Sequence, residues 1–345
     1  MLRIKSLDYI RGLMAFLIMI YHYTGWCIGE VSSNTALGKT GVYGVCIFYI
    51  LSGITLFSVY KNSSFNKTEI INFGIKRIFR IFPLLWLVTT LNLILQHYHP
   101  GYYLLFINYT GLFGFIDPDA YLSAGTWSIG NELVFYTFFP LLMIMLNSPS
   151  KTGITVFIVL LFILHIWFAW RIDQLQSNNS PWWPVYVIPL NQLFFFVSGI
   201  LIGYLGTRIN FNFTLSLTTF LLAVAIYIFY PVNPASGSLT GGINRVIYTL
   251  LSILLTASFI YIQPEFNKAI SGILTFLGEV SYSVYLTHPI IFSLVKLISV
   301  KFYPLSLLWT GVISIPLTLV FSYITYHYFE VRAIKAGKKF LVASP

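Results

Sequence analysis

The sequence predicts an all-α fold, a polytopic membrane helical bundle of about ten transmembrane helices with both termini in the cytoplasm. Three observations predict it. Of 345 residues, 57% are hydrophobic and 9% are charged, where a soluble domain carries about 25% charged residues. Ten apolar stretches approach the ~20 residues that cross a bilayer. The cations then fall mostly on one side of the resulting topology. This composition excludes a soluble enzyme. The net charge of +10 follows membrane orientation, so it does not point to nucleic acid.

The stretches lie near residues 7–27, 40–60, 77–96, 127–147, 154–170, 187–205, 213–230, 245–262, 279–299 and 306–328. The first is long and has no small-residue cleavage site, so it reads as a retained span and not a signal peptide. Residues 101–116 read as a re-entrant or interfacial piece, and Asp117-Pro118-Asp119 as a turn. With the N-terminus inside, 15 of the 20 Lys and Arg face the cytoplasm, Arg3 among them. The 5 on the outer face are Lys39, Arg171, Arg245, Lys296 and Lys301, and the loop 97–126 has none. An odd number of spans would spoil this positive-inside asymmetry. Trp127, Trp167, Trp170, Trp182 and Trp183 fall near the outer boundary, as an aromatic belt does. Cys27 and Cys46 sit at or in apolar segments and suggest neither a disulfide framework nor a metal site. The chain reads as one membrane domain over 1–345 with no fused soluble domain and no internal repeat.

Ionisable groups inside apolar spans are costly and mark candidate sites. Arg11 and His22 are 11 positions apart on the first span, which puts them on one helix face about 16 Å apart. Asp8 is three residues before Arg11, within pairing reach. Ser52-Gly53 ends the second span, where small residues suit a close helix contact. Lys76, Arg77 and Arg80 share a face at the expected start of the third span, either as a topology anchor or as a phosphate clamp. Pro83 suits that helix start, or a kink. In the fourth span Trp127, Ser128, Glu132 and Tyr136 follow one another, and Glu132 is a carboxylate well inside apolar sequence. It serves either packing or a site. In the ninth span Ser281, Tyr285 and His288 form a polar stripe at helical spacing, with Tyr282 beside it. Such a stripe lines a cavity or a helix interface. His97 and His99 make a weak metal pair, and His165 has no polar companion on its own helix.

These segments, in this order, resemble the bacterial acyltransferase-3 membrane proteins, which O-acylate surface and exported glycans. The resemblance runs over about residues 3–332. It rests on Leu7-Asp8-x-x-Arg11-Gly12 with His22, and on Phe48-Tyr49-x-x-Ser52-Gly53. Arg77-x-x-Arg80-Ile81-x-Pro83, Trp127-Ser128 to Tyr136, and Gly278 to His288 complete it, with a closing acid at Glu330. Two positions depart from the pattern: Cys46 stands where an acid is frequent, and Arg332 where a proline is.

The resemblance implies an acyl-CoA co-substrate, acetyl-CoA by default, entering from the cytoplasm, and no metal. The acceptor would be a glycan or lipid-linked glycan such as O-antigen, capsule or exopolysaccharide, handled in the plasma membrane among lipids. It assigns catalysis to His22, Arg11 and Glu132, and CoA phosphates to Lys76, Arg77 and Arg80. Acceptor binding goes to Asp8, Trp127, Ser128, Tyr136, Ser281, Tyr282, Tyr285 and His288. A homo-oligomer or a glycan-assembly complex is compatible with it. Any hand-off to an esterase-like domain would occur in trans or not at all. The alternative class is a transporter exporting glycan or small-molecule intermediates, against which the absent repeat counts.

Overall fold

The computed structural model describes residues 5–209, 211–232 and 238–343; Arg3 lies outside them. Among the described residues there are helices and no strands. The long helices are α1 (Lys5–Cys27), α2 (Ala36–Tyr60) and α3 (Lys67–Gln96). After the short α4 (Tyr102–Tyr109) and α5 (Phe113–Ile116) come α6 (Trp127–Asn147) and α7 (Thr152–Ser177). The remainder is α8 (Trp183–Tyr186), α9 (Pro189–Leu205), α10 (Phe213–Phe229), α11 (Gly242–Ile262), α12 (Lys268–Phe302), α13 (Leu307–Thr325) and α14 (Val331–Gly337). Among the described residues, eight helical stretches are long and apolar enough to cross a bilayer. The α1 helix carries Lys5, Asp8, Arg11 and His22 and is not among the eight, and α10 is shorter at 17 residues.

The chain divides into two compact units, and both α1 and α12 contribute residues to each. The first unit takes Met1–His22, Glu30–Lys61 and Thr152–Ser281. In it α2 packs on α9 so tightly that a Cβ on Gly53 would sit 2.9 Å from Ile200 N, and one on Gly199 would strike Ile50. Gly53 thus serves the close helix contact. His165 gains from another helix the companion its own lacks: Nε2 lies 3.0 Å from Thr249 Oγ1, tying α7 to α11.

Two cations expected at the outer face are buried in protein. Lys39 is 1% exposed and Arg245 0%. Lys39 Nζ donates to Ile228 O and Tyr230 O, both at 2.8 Å. These carbonyls end α10, where unpaired acceptors and the helix dipole favour a cation. Arg245 Nη2 donates to Asn191 O at 3.1 Å and Oδ1 at 2.7 Å, with the guanidinium 5.4 Å from the Tyr186 ring.

The second unit takes Tyr23–Gly29, Asn62–Lys151 and Tyr282–Pro345. Here α3 begins ten residues before the expected span, at a capping box: Asn66 accepts from Glu69 N while the Glu69 side chain returns to Asn66 N. The expectation that Lys76, Arg77 and Arg80 open a helix is therefore corrected, and Pro83 lies inside the helix. The 101–116 segment folds as α4 and α5 with Tyr102 92% exposed. Asn108 holds it, donating to Leu104 O and Ala120 O and accepting from Leu122 N. The α13 helix runs into one π-helical turn, Tyr326–Glu330, before α14. That turn directs Glu330, 5% exposed, onto the hydroxyl of Ser283. Trp167 and Trp170 are exposed as a belt requires, but Trp127 is buried.

Candidate active site

In the first unit the site is a polar line on α1. One uninterrupted helix carries Asp8, Arg11 and His22: no Pro lies between them, and the apolar run carries the helix through Gly12. Arg11 Nη1 donates to Asp8 Oδ1 at 3.3 Å, the pairing expected at this spacing. Its Nη2 donates to Thr55 Oγ1 at 3.0 Å, a partner on α2 that no spacing within α1 announces. Thr55 in turn donates to Leu51 O at 2.7 Å. The guanidinium is thereby fixed at two points, and its planar fork suits oriented recognition of a carboxylate or phosphate. His22 is half-buried, its ring 5.2 Å from that of Tyr21 and edge-on to it. Ser281 donates to Gly278 O at 2.9 Å, one turn back on its own helix.

In the second unit α3, α6, α12 and the π-helical turn bring charged and phenolic groups together. Arg77 is half-buried, its guanidinium 5.6 Å from the Phe73 ring and 5.5 Å from that of Tyr136. Lys76 and Arg80 are exposed. Ser128 Oγ and Tyr285 OH lie 3.0 Å apart, and both reach Gly125 O, at 2.9 and 3.2 Å. Tyr282 OH donates to Ile81 O at 3.1 Å, and its hydroxyl lies in the electrostatic range of Glu330, Glu132, Arg80 and Tyr136. Trp127, Ser128 and Tyr136 are buried, and Glu132 is half-buried. His288 is 1% exposed, its Nδ1 is 3.1 Å from Val284 O, and its ring stacks 6.0 Å from Trp26. Tyr23 OH donates to His288 O at 2.9 Å.

The stripe of Ser281, Tyr285 and His288 lies buried along α12 and meets other helices: Ser281 bonds within its own helix, Tyr285 reaches Ser128 on α6, and His288 packs on Trp26 of α1. Thr55, Ser283 and the buried position of Glu330 were missed. Only Glu330 had a signal, as an acid next to an apolar run. Among the described residues no group of His, Cys, Asp and Glu is arranged to hold a metal.

A family described as an acyltransferase domain matches residues 4–327. This chain belongs to that acyltransferase-3 family. A Staphylococcus aureus (strain COL) protein named, by inference, as an O-acetyltransferase is 24% identical over 98% of this chain. Its counterpart in strain MSSA476, named likewise, is 23% identical over 97% of this chain. The chain spans 58% of the length of each of these two relatives. A protein of the Acidianus two-tailed virus, named by inference as an acetyltransferase, is 24% identical over 81% of this chain and 80% of its own length. No solved structure matches. The acyltransferase-3 match covers both halves of the geometry above, from Asp8 and Arg11 on α1 to His327 in the π-helical turn; Glu330 and α14 lie just beyond it.

Proposed function

We propose that this chain is a plasma-membrane O-acyltransferase with ten spans and cytoplasmic termini. It would move an acyl group, acetyl by default, from cytoplasmic acyl-CoA to a hydroxyl of a surface or exported glycan. The observation that carries this reading is the fixed guanidinium of Arg11 on the helix that also bears His22.

In this reading Lys76, Arg77 and Arg80 hold the CoA phosphates, with Arg77 presented by two aromatic rings. On α1, Arg11 orients the donor. The neutral imidazole of His22 takes the proton of the acceptor hydroxyl as its oxygen attacks the thioester carbon. The new C–O bond forms, the C–S bond breaks, and the CoA thiolate leaves to be protonated by the imidazolium. The same imidazole serves a two-step route in which it carries the acyl group itself. Glu132, Trp127 and Tyr136 provide the acid and aromatic surfaces that a hydroxyl-rich acceptor uses, with Ser128 and Tyr285 bracing them through Gly125.

The test uses membranes containing the protein, radiolabelled acetyl-CoA and extracted cell-surface glycan. Base-labile label enters glycan with the wild type and not with His22→Ala. Full transfer by a normally inserted His22→Ala or His22→Gln protein refutes the role of His22.

A further inference from the structure

A cavity of about 800 Å³ opens in the first unit where three connections meet: the α1–α2 loop, the end of α7 with the segment leading to α8, and the stretch before α11. Glu30, Ser33, Asn34, Gln176, Asn179 and Trp182 carry its chemistry. Among the described residues its lining holds one carboxylate and no Lys, Arg or His. The volume falls in the range of small-ligand sites.

The walls are fixed by their own hydrogen bonds. Asn34 Oδ1 accepts from Val232 N at 2.7 Å, joining the first connection to the third. Gln176 Oε1 accepts from Ser238 Oγ at 2.8 Å and its Nε2 donates to Thr240 Oγ1 at 2.9 Å, joining the second to the third. The side chains of Glu30, Ser33 and Asn179 make no hydrogen bond to the described residues, which leaves a carboxylate, a hydroxyl and an amide turned to solvent at the cavity. Trp182 is half-buried and held edge-on against Trp183 at 5.8 Å and Tyr186 at 5.9 Å. Glu30 lies in the electrostatic range of Tyr21, whose ring meets that of His22. The cavity therefore approaches the end of α1 that carries the proposed base.

We infer that this cavity is a subsite for an uncharged sugar residue of the acceptor. The indole offers an apolar platform to a sugar face, and Glu30 and Asn179 accept from and donate to its hydroxyls. A site for a phosphorylated or carboxylated ligand would place a guanidinium or ammonium here, and among the described residues the lining has none. The inference rests on the glycan-acceptor reading and narrows it to neutral sugars.

The test is saturation-transfer NMR on the purified full chain without acyl-CoA. The probes are cellohexaose, maltohexaose and chitohexaose, with maltohexaose phosphate as the charged comparator. At least one neutral hexasaccharide binds the wild type, and its phosphorylated counterpart binds more weakly. Trp182→Ala and Glu30→Gln each weaken binding by about tenfold, the size of one lost contact of this kind. Glu30 is exposed, so Glu30→Gln tests the site without disturbing the fold. No binding of any neutral probe, preference for the phosphorylated one, or binding unchanged in both variants overturns the inference. Because no acyl donor is present, binding that is lost in the variants supports the subsite even if the wild type transfers no acyl group, and the acyl-transfer reading then fails alone.

Discussion

Arg11 Nη2 donates to Thr55 Oγ1 at 3.0 Å, and this bond joins the guanidinium of α1 to the neighbouring helix α2. Asp8 holds the other terminal nitrogen at 3.3 Å. The bond to Thr55 ties the fork to a second helix and so helps to set its direction.

Thr55→Val keeps the volume and removes the acceptor. A hydrogen bond to a charged group contributes about 1.5–3 kcal/mol. If that orientation serves the transition state, acyl transfer falls by about tenfold or more, since each 1.36 kcal/mol is one decade in rate. Thr55→Ser restores it. Equal rates for the Val and Ser variants, measured with normal membrane insertion, would show that this bond does not position Arg11 for the reaction.

The Arg77 guanidinium sits beside the Phe73–Tyr136 pair, 5.6 and 5.5 Å from the two rings. Removing it as Arg77→Ala raises the KM for acyl-CoA by about tenfold, the order of one lost charge-assisted phosphate contact. Arg77→Lys recovers only part, because an ammonium neither forks onto phosphate nor stacks on a ring. The readout is KM for the donor against KM for the acceptor. A change confined to the acceptor would assign Arg77 elsewhere.

Ser283 and Glu330 meet as a buried hydroxyl–carboxyl pair. A cycle of Ser283→Ala, Glu330→Gln and the double variant, followed by thermal unfolding in detergent, returns a coupling of about 1–3 kcal/mol. Additive effects within about 0.5 kcal/mol would mean that the two side chains stabilise independently.

Near the start of α1 its backbone touches that of α12. A Cβ on Gly278 would lie 2.8 Å from Asp8 Cβ, and one on Gly12 would lie 2.7 Å from Leu277 Cβ. Gly278→Ala must push α12 off the turn that carries Asp8 and Arg11. The expected cost is about 1–3 kcal/mol of stability, accompanied by a loss of transfer, because the displaced group is Asp8. Gly272 has open space around it, so Gly272→Ala is the matched control: it leaves transfer unchanged and raises stability by about 0.4–1 kcal/mol through helix propensity.

The fold class and the helix order were legible because hydropathy, length and helical spacing are local. The Asp8–Arg11 pair was legible for the same reason. Thr55 was not, because its contact crosses between helices 44 residues apart in sequence. The start of α3 was written in Asn66-Lys67-Thr68-Glu69, but hydropathy marks where a helix becomes apolar, not where it begins. Lys39 and Arg245 looked like surface charges because a cation that reaches buried carbonyl oxygens has the same sequence signature as one in water. Their acceptors, the end of α10 and Asn191, emerge only on folding.

Arg245 also bears on how the chain is assembled. On α11 alone the guanidinium, in the first turn of the helix, would snorkel toward the interface, at a cost below the ~2.5–3.5 kcal/mol of a mid-bilayer arginine. Asn191, whose backbone and side-chain oxygens receive it, belongs to α9, which is synthesised earlier. Docking of α11 on α9 then gives the charge its acceptors inside the protein. The buried arginine thus rewards one pairing during biogenesis, that of a late helix with one the ribosome has already delivered.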